Sequence, residues 1–127
     1  MYKRGLSVVI PTFNESGNID QLIKRTVRAL RDAGIRYEII FVDDHSKDAT
    51  RSRISRHTKS YPIFLLVKEG RIGKGYSILE GARVAKFSHI AMLYADPRGN
   101  QAYGNHLTDT FLRTADRNTD KRWRQWR

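Results

Sequence analysis

An apolar run, Ile39-Ile40-Phe41-Val42, stops at two adjacent carboxylates, Asp43 and Asp44, followed by His45, Ser46, Lys47 and Asp48. At the carboxyl end of a buried parallel strand, such carboxylates face the crevice where open α/β sheets take their ligands. They can accept hydrogen bonds from a base or ribose there, or hold a divalent ion together with a phosphate. Their competing use is to cap the next helix. Two other segments share the layout. Residues 6–10 end in Pro11-Thr12-Phe13-Asn14-Glu15, and residues 90–93 end in Tyr94-Ala95-Asp96. Apolar runs that end alike predict one site along one sheet edge.

The loop Gly70-Arg71-Ile72-Gly73-Lys74-Gly75 adds a second kind of chemistry. Its glycines let the backbone approach a phosphate, Arg71 and Lys74 supply charge, and the helix that follows opens with an anion-binding terminus. The competing reading is a flexible exposed loop. It is not a P-loop, because Tyr76 stands where that motif requires lysine. The histidines, His45, His57, His89 and His106, have no metal-ligand spacing. No zinc motif or nucleophile elbow is present.

These residues need a frame. The strand at 6–10 is short, β-branched and closed by Pro11. Asn14-Glu15-Ser16 offers capping chemistry to a helix whose Ile19, Leu22, Ile23, Val27 and Leu30 form one apolar face. Gly34 fits the residue just past that helix. A second strand is predicted at 37–42 and a polar, shallowly buried helix from about 46 to 59. A third strand follows at 63–67, a third helix at 76–86 and a fourth strand at 89–93. Gly81 inside the third helix weakens it by about 1 kcal/mol relative to Ala. The alternation predicts the α/β class, a mainly parallel sheet flanked by helices. Periodicity fades after Asp96. Residues 97–127 are expected to be a weakly structured or loosely docked basic tail, with a weak helix at 107–115 and Trp123 and Trp126 set among arginines.

At 127 residues the chain has room for one domain with a modest core, residues 1–96 carrying the site. The absence of cysteine excludes disulfides and thiolate metal sites and fits a reducing, cytoplasmic setting. The apolar run after Met1-Tyr2-Lys3-Arg4-Gly5 is too short for a signal peptide, and Pro11 interrupts it. The net charge of +11, from 24 basic and 13 acidic residues, favours anionic partners: nucleic acid, nucleotides, lipid phosphates or an anionic membrane. A solvated basic surface with no specific partner accounts for it as well. A basic nucleic-acid-binding domain would draw on this charge and the Trp-Arg tail, but no nucleic-acid fold motif accompanies them. A phospho-receiver domain would carry its acidic pair after the first strand, whereas here the pair follows the second.

In series, residues 7–15, 39–50, 71–81 and 90–96 resemble the family 2 glycosyltransferases, especially the polyprenyl-phosphate sugar synthases of the dolichol-phosphate mannose synthase type. The resemblance covers about residues 5–96 and implies the nucleotide-binding half of a GT-A (Rossmann-like) domain. It assigns Pro11, Thr12, Phe13 and Glu15 to the cradle of the nucleotide base, and Asp43 and Asp44 to base and ribose. Arg71 and Lys74 then lie in the loop that helps hold the nucleotide. Asp96 becomes the last carboxylate of the metal and diphosphate motif. Tyr94 replaces that motif's first Asp, so a Mg or Mn site is weakened or dispensable. Arg98 stands where a guanidinium could neutralise phosphate directly. The implied donor is a GDP- or UDP-linked sugar. The implied acceptor is a polyprenyl phosphate such as dolichyl phosphate, reached by a domain peripheral to an anionic membrane face, with no catalytic base identified. The family's domain continues well beyond this length, and its missing part carries the acceptor site. That implies a truncated relative, or a reading frame altered near Asp96. An inactive nucleotide-binding module that needs a partner subunit is the alternative.

Overall fold

The computed structural model describes residues 2–70, 72–93 and 115–118, with Lys74, Gly75 and Ala115 described by their backbone alone. The strands are β1 (Lys3–Thr12), β2 (Tyr37–Asp43), β3 (Ile63–Val67), β4 (Phe87–Met92) and β5 (Ala115–Asp116). The helices are α1 (Ile19–Asp32), α2 (Thr50–His57) and α3 (Lys74–Val84). The sheet order is β3-β2-β1-β4-β5. β1 runs parallel to both β2 and β4, and β2 parallel to β3. The expected parallel sheet with flanking helices is therefore present, and β5 adds an antiparallel edge. The strand order changes direction at β1, and the crevice outside such a switch is where ligands enter folds of this kind.

Strand alternation divides the core into two layers. Leu6, Val8, Ile10, Ile39, Phe41, Ile63, Ala91 and Leu93 pack with the apolar stripe of α1 and with Ile54 of α2. Val9, Ile40, Val42 and Ile90 point the other way, onto Ala82 and Ala85. Gly81 explains the close approach of α3. A Cβ there would lie 2.4 Å from Val9 Cγ1 and 3.1 Å from Val42 Cγ2, both on buried strand residues.

Helix boundaries follow local hydrogen bonds. Gly34 takes φ +66 after α1, and the amides of Gly34 and Ile35 close onto the carbonyls of Arg31 and Leu30. α2 starts at Thr50, later than the polar run predicts. Ser46 is bound back to Asp43, and Asp48 Oδ1 accepts the Thr50 amide at 2.9 Å, an Asx-type turn that replaces a first helical turn.

The expected loose tail has an ordered anchor. Ile90 and His89 pair with Ala115 and Asp116. Arg117 is 4% exposed, and its guanidinium donates to the carbonyls of Ala82, Ala85 and Phe87. It also stacks 3.5 Å from the centre of the Tyr2 ring. Asn118 exchanges hydrogen bonds with the Tyr2 backbone. A guanidinium at the carboxyl end of α3 satisfies carbonyls the helix leaves open and complements its dipole. The expected helix at 107–115 lies outside the described residues except for Ala115, which is in strand. The Trp-Arg stretch lies outside them entirely.

Candidate functional site

The carboxyl ends of β1 and β2 bring Thr12, Asp43 and Asp44 together, and the two carboxylates have different fates. Asp43 is fully buried. Its Oδ1 accepts the hydroxyls of Thr12 (2.9 Å) and Ser46 (2.5 Å), its Oδ2 accepts the Ser46 amide (3.0 Å), and Arg51 Nε lies 3.6 Å away. Both of its oxygens accept hydrogen bonds from the protein. Asp43 thereby cross-links β1 to the loop after β2.

Asp44 is built differently. Its amide is held by the Thr12 carbonyl, and its Oδ2 accepts the Gly73 amide at 2.8 Å. Its Oδ1 is buried and takes no hydrogen bond from the described residues. The Lys68 ammonium lies 3.3 Å from that oxygen, near enough for Coulomb attraction, but it donates instead to the Gly73 carbonyl (2.9 Å) and the Ser77 hydroxyl (3.2 Å). Lys68 is 1% exposed and lies 5.7 Å from the Tyr76 ring centre. Sequence reasoning did not single out Lys68. Its one available signal was the position directly after an apolar strand, level with the acidic pair on β2.

The remaining cradle residues fall as follows. Pro11 is buried in the β1 ladder beside Val42. Phe13 is 55% exposed at the end of β1. Glu15 is half-buried, and its carboxylate accepts the Asn18 side-chain amide at 3.4 Å. Asn14 at φ +50 and His45 at φ +64 both take the left-handed backbone, at the ends of the two strands that supply the acids. His45 Nε2 reaches the Gly70 carbonyl at 3.3 Å and joins the β2 loop to the glycine loop. Asp48 sits beyond it. Burial opposes its charge, but hydrogen bonds from the hydroxyl and amide of Thr50 and from Ser16 draw its pKa down to about 2.

The backbone of Lys74 opens α3 beside Gly73, while its side chain, Arg71, Tyr94, Asp96 and Arg98 all lie outside the described residues. Among the described residues no group of three His, Asp or Glu side chains is placed to hold a metal ion. No helix among them is long and apolar enough to cross a membrane.

The arrangement is a buried acceptor oxygen with a cation beside it, an exposed aromatic ring and a helix amino terminus, all on one sheet edge. Comparisons with known proteins agree with that frame. The family described as Glycosyl transferase family 2 matches residues 7–97. A dolichyl-phosphate beta-glucosyltransferase of Trichomonas vaginalis is 34% identical over 97 residues, a match covering 72% of this chain and 30% of that protein. The chain thus spans less than a third of that relative's length. Among solved structures, S. aureus TarS 1-349 in complex with UDP superposes with a TM-score of 0.62 at 20% identity, over 72% of this chain and 27% of that one. The mannosyltransferase PcManGT from Pyrobaculum calidifontis, in complex with GDP-Man and Mn2+, superposes with a TM-score of 0.60 at 22% identity, over 89% and 33%. At such identities the superpositions speak to the fold, which is that of the GT-A glycosyltransferases. On the match across residues 7–97, the chain belongs to the family 2 glycosyltransferases.

Proposed function

We propose that this chain binds the donor, a nucleoside diphosphate sugar, for inverting transfer of the sugar to a polyprenyl phosphate. The observation that carries the reading is Asp44 Oδ1, a buried carboxylate oxygen that accepts no hydrogen bond from the described residues, at the switch edge of a GT-A sheet. A buried acceptor left without a hydrogen bond costs about 1–3 kcal/mol, here offset in part by the Lys68 ammonium 3.3 Å away, so a ligand N–H that reaches it is favoured. Uracil and guanine each carry a ring N–H donor on the pairing edge, which adenine lacks. The Phe13 ring is exposed beside the turn and offers a stacking face. The start of α3 supplies amides and a dipole suited to the diphosphate, and we assign Arg71, Lys74 and Arg98 to its charge.

The chemistry asks little of the protein beyond placement. A phosphate oxygen of the acceptor attacks the anomeric carbon from the face opposite the diphosphate. The bond from that carbon to the diphosphate oxygen breaks, and the nucleoside diphosphate leaves with the electron pair. An anionic acceptor needs no strong general base, whereas the leaving group needs positive charge. A Mg or Mn ion would supply such charge when bound, with Asp96 as its protein ligand and Tyr94 in place of a second acid. The PcManGT complex contains Mn2+ and GDP-Man, and the Trichomonas relative is named for dolichyl phosphate. Both support the choice of donor class and acceptor. The charge of +11 suits an anionic membrane surface at the cytoplasmic face.

A second reading is a nucleotide-binding module that binds the donor without transferring its sugar. Incubation with GDP-mannose or UDP-glucose and a short polyprenyl phosphate tests both. Labelled sugar passing into the lipid phase supports transfer. Nucleotide binding without transfer supports the module. Neither binding nor transfer sinks both readings.

A further inference from the structure

Three successive backbone amides just past β1 each donate to a side chain lying between the end of β2 and the first residue of α2. Asn14 N reaches Ser46 Oγ at 2.8 Å, Glu15 N reaches Thr50 Oγ1 at 2.8 Å, and Ser16 N reaches Asp48 Oδ2 at 3.2 Å. The loop also donates in return, from Lys47 N to Asn14 Oδ1 at 2.8 Å. The acceptors are tied together behind the turn. Thr50 Oγ1 donates to Asp48 Oδ1 at 2.5 Å, and Ser46 Oγ to Asp43 Oδ1 at 2.5 Å. Thr50 is fully buried and Ser46 nearly so.

This wiring has two consequences. Successive N–H groups at a left-handed residue commonly form an anion-binding concavity. Here all three are taken, so the turn is a platform and not a phosphate nest. The side chains it carries, Phe13 and Glu15, are set by groups that need not touch a ligand themselves.

We propose that Thr50 and Asp48 are positioning residues for nucleotide binding, acting by holding the residue 14–16 turn so that Phe13 and Glu15 meet the base. The inference rests on the nucleotide reading above. The depressed pKa of Asp48 accords with it, since the carboxylate is stabilised in its charged form by the same contacts.

Two variants separate positioning from general damage. Thr50→Val keeps the shape and removes both the acceptor for Glu15 N and the donor to Asp48. Thr50→Ser keeps the hydroxyl. UDP and GDP are titrated into each folded protein by calorimetry, and amide hydrogen exchange is followed at residues 14–16 and at Val8, Val9 and Ile10. The expected result is about fivefold to tenfold weaker binding for Thr50→Val, the worth of one hydrogen bond, with Thr50→Ser within about twofold of the unsubstituted chain. Exchange should quicken at Glu15 and Ser16 in Thr50→Val and stay slow in β1. Unchanged affinity in Thr50→Val while the unsubstituted chain binds overturns the positioning role alone. Faster exchange that spreads through β1, with Thr50→Ser failing to rescue, makes the residue merely structural and also overturns it. If the unsubstituted chain binds neither diphosphate, the nucleotide reading falls and takes this role with it, and the exchange data still show whether the clamp exists.

Discussion

Adjacent acids with identical side chains do different work at the end of β2. Asp43 faces Thr12 across the β1–β2 ladder and Ser46 three residues on, so both its oxygens accept hydrogen bonds within the chain. Asp44 points toward Lys68 and Gly73, and its Oδ1 takes no hydrogen bond from the described residues. Lys68 is what makes a buried Asp44 tolerable, because removing one partner of a buried ion pair strands the other charge. Lys68→Met is accordingly expected to lower unfolding free energy by roughly 3–5 kcal/mol in denaturant titrations, with Lys68→Arg losing less. Asp48 gives a second residue-scale prediction. Its native pKa, about 2, lies below the ordinary value of 3.8, so the folded state prefers the ionised form. Its contribution is complete above about pH 4 and is lost as pH falls through about 2. The stability difference between the unsubstituted chain and Asp48→Asn should shrink across that window, and a difference that stays constant from pH 5 to pH 2 contradicts the assignment. The asymmetry of Asp43 and Asp44 was not legible in the sequence. It depends on Thr12 and Lys68 arriving from other strands, and neither spacing nor residue type encodes which oxygen they reach.

At the scale of elements, apolar pattern carried most of the fold. Continuous apolar, β-branched runs and the Ile19-Leu22-Ile23-Val27-Leu30 stripe located the parallel strands and α1, because burial on one or both faces is written directly into residue type. Starts and stops were less legible where side chains compete with the backbone, as Ser46 and Asp48 do in delaying α2. Gly81 shows the same limit. Helix propensity alone makes Gly81→Ala stabilising by about 1 kcal/mol. Its added Cβ would sit 2.4 Å from Val9 Cγ1, inside van der Waals contact with a side chain that has no room to move. We expect Gly81→Ala to destabilise by roughly 1–3 kcal/mol, since overpacking outweighs propensity, and thermal melts decide the sign.

At the scale of the molecule, one sheet carries two separate jobs at its two ends. The carboxyl edge gathers the candidate site. The amino edge is closed by Glu38, which accepts from Ser7 and Lys86, and by Arg117, which caps α3 and stacks on Tyr2. A two-residue strand and a single arginine leave no periodicity to read, so the docking of residues 115–118 was invisible in the sequence. Arg117→Ala should cost roughly 2–4 kcal/mol in unfolding free energy, from buried carbonyls left without a charged donor, while leaving nucleotide affinity at the far edge unchanged. A change below about 0.5 kcal/mol would mean the segment adds nothing to the sheet.

The most direct test of the central claim is calorimetric titration of the chain and of Asp44→Asn with UDP and GDP, each with and without Mn2+. The account predicts micromolar binding of one diphosphate to the unsubstituted chain. It predicts a loss of about tenfold to a hundredfold in Asp44→Asn, the worth of a hydrogen bond to a charged acceptor. Equal affinities of the two proteins, or no binding of either diphosphate under any condition, would contradict it.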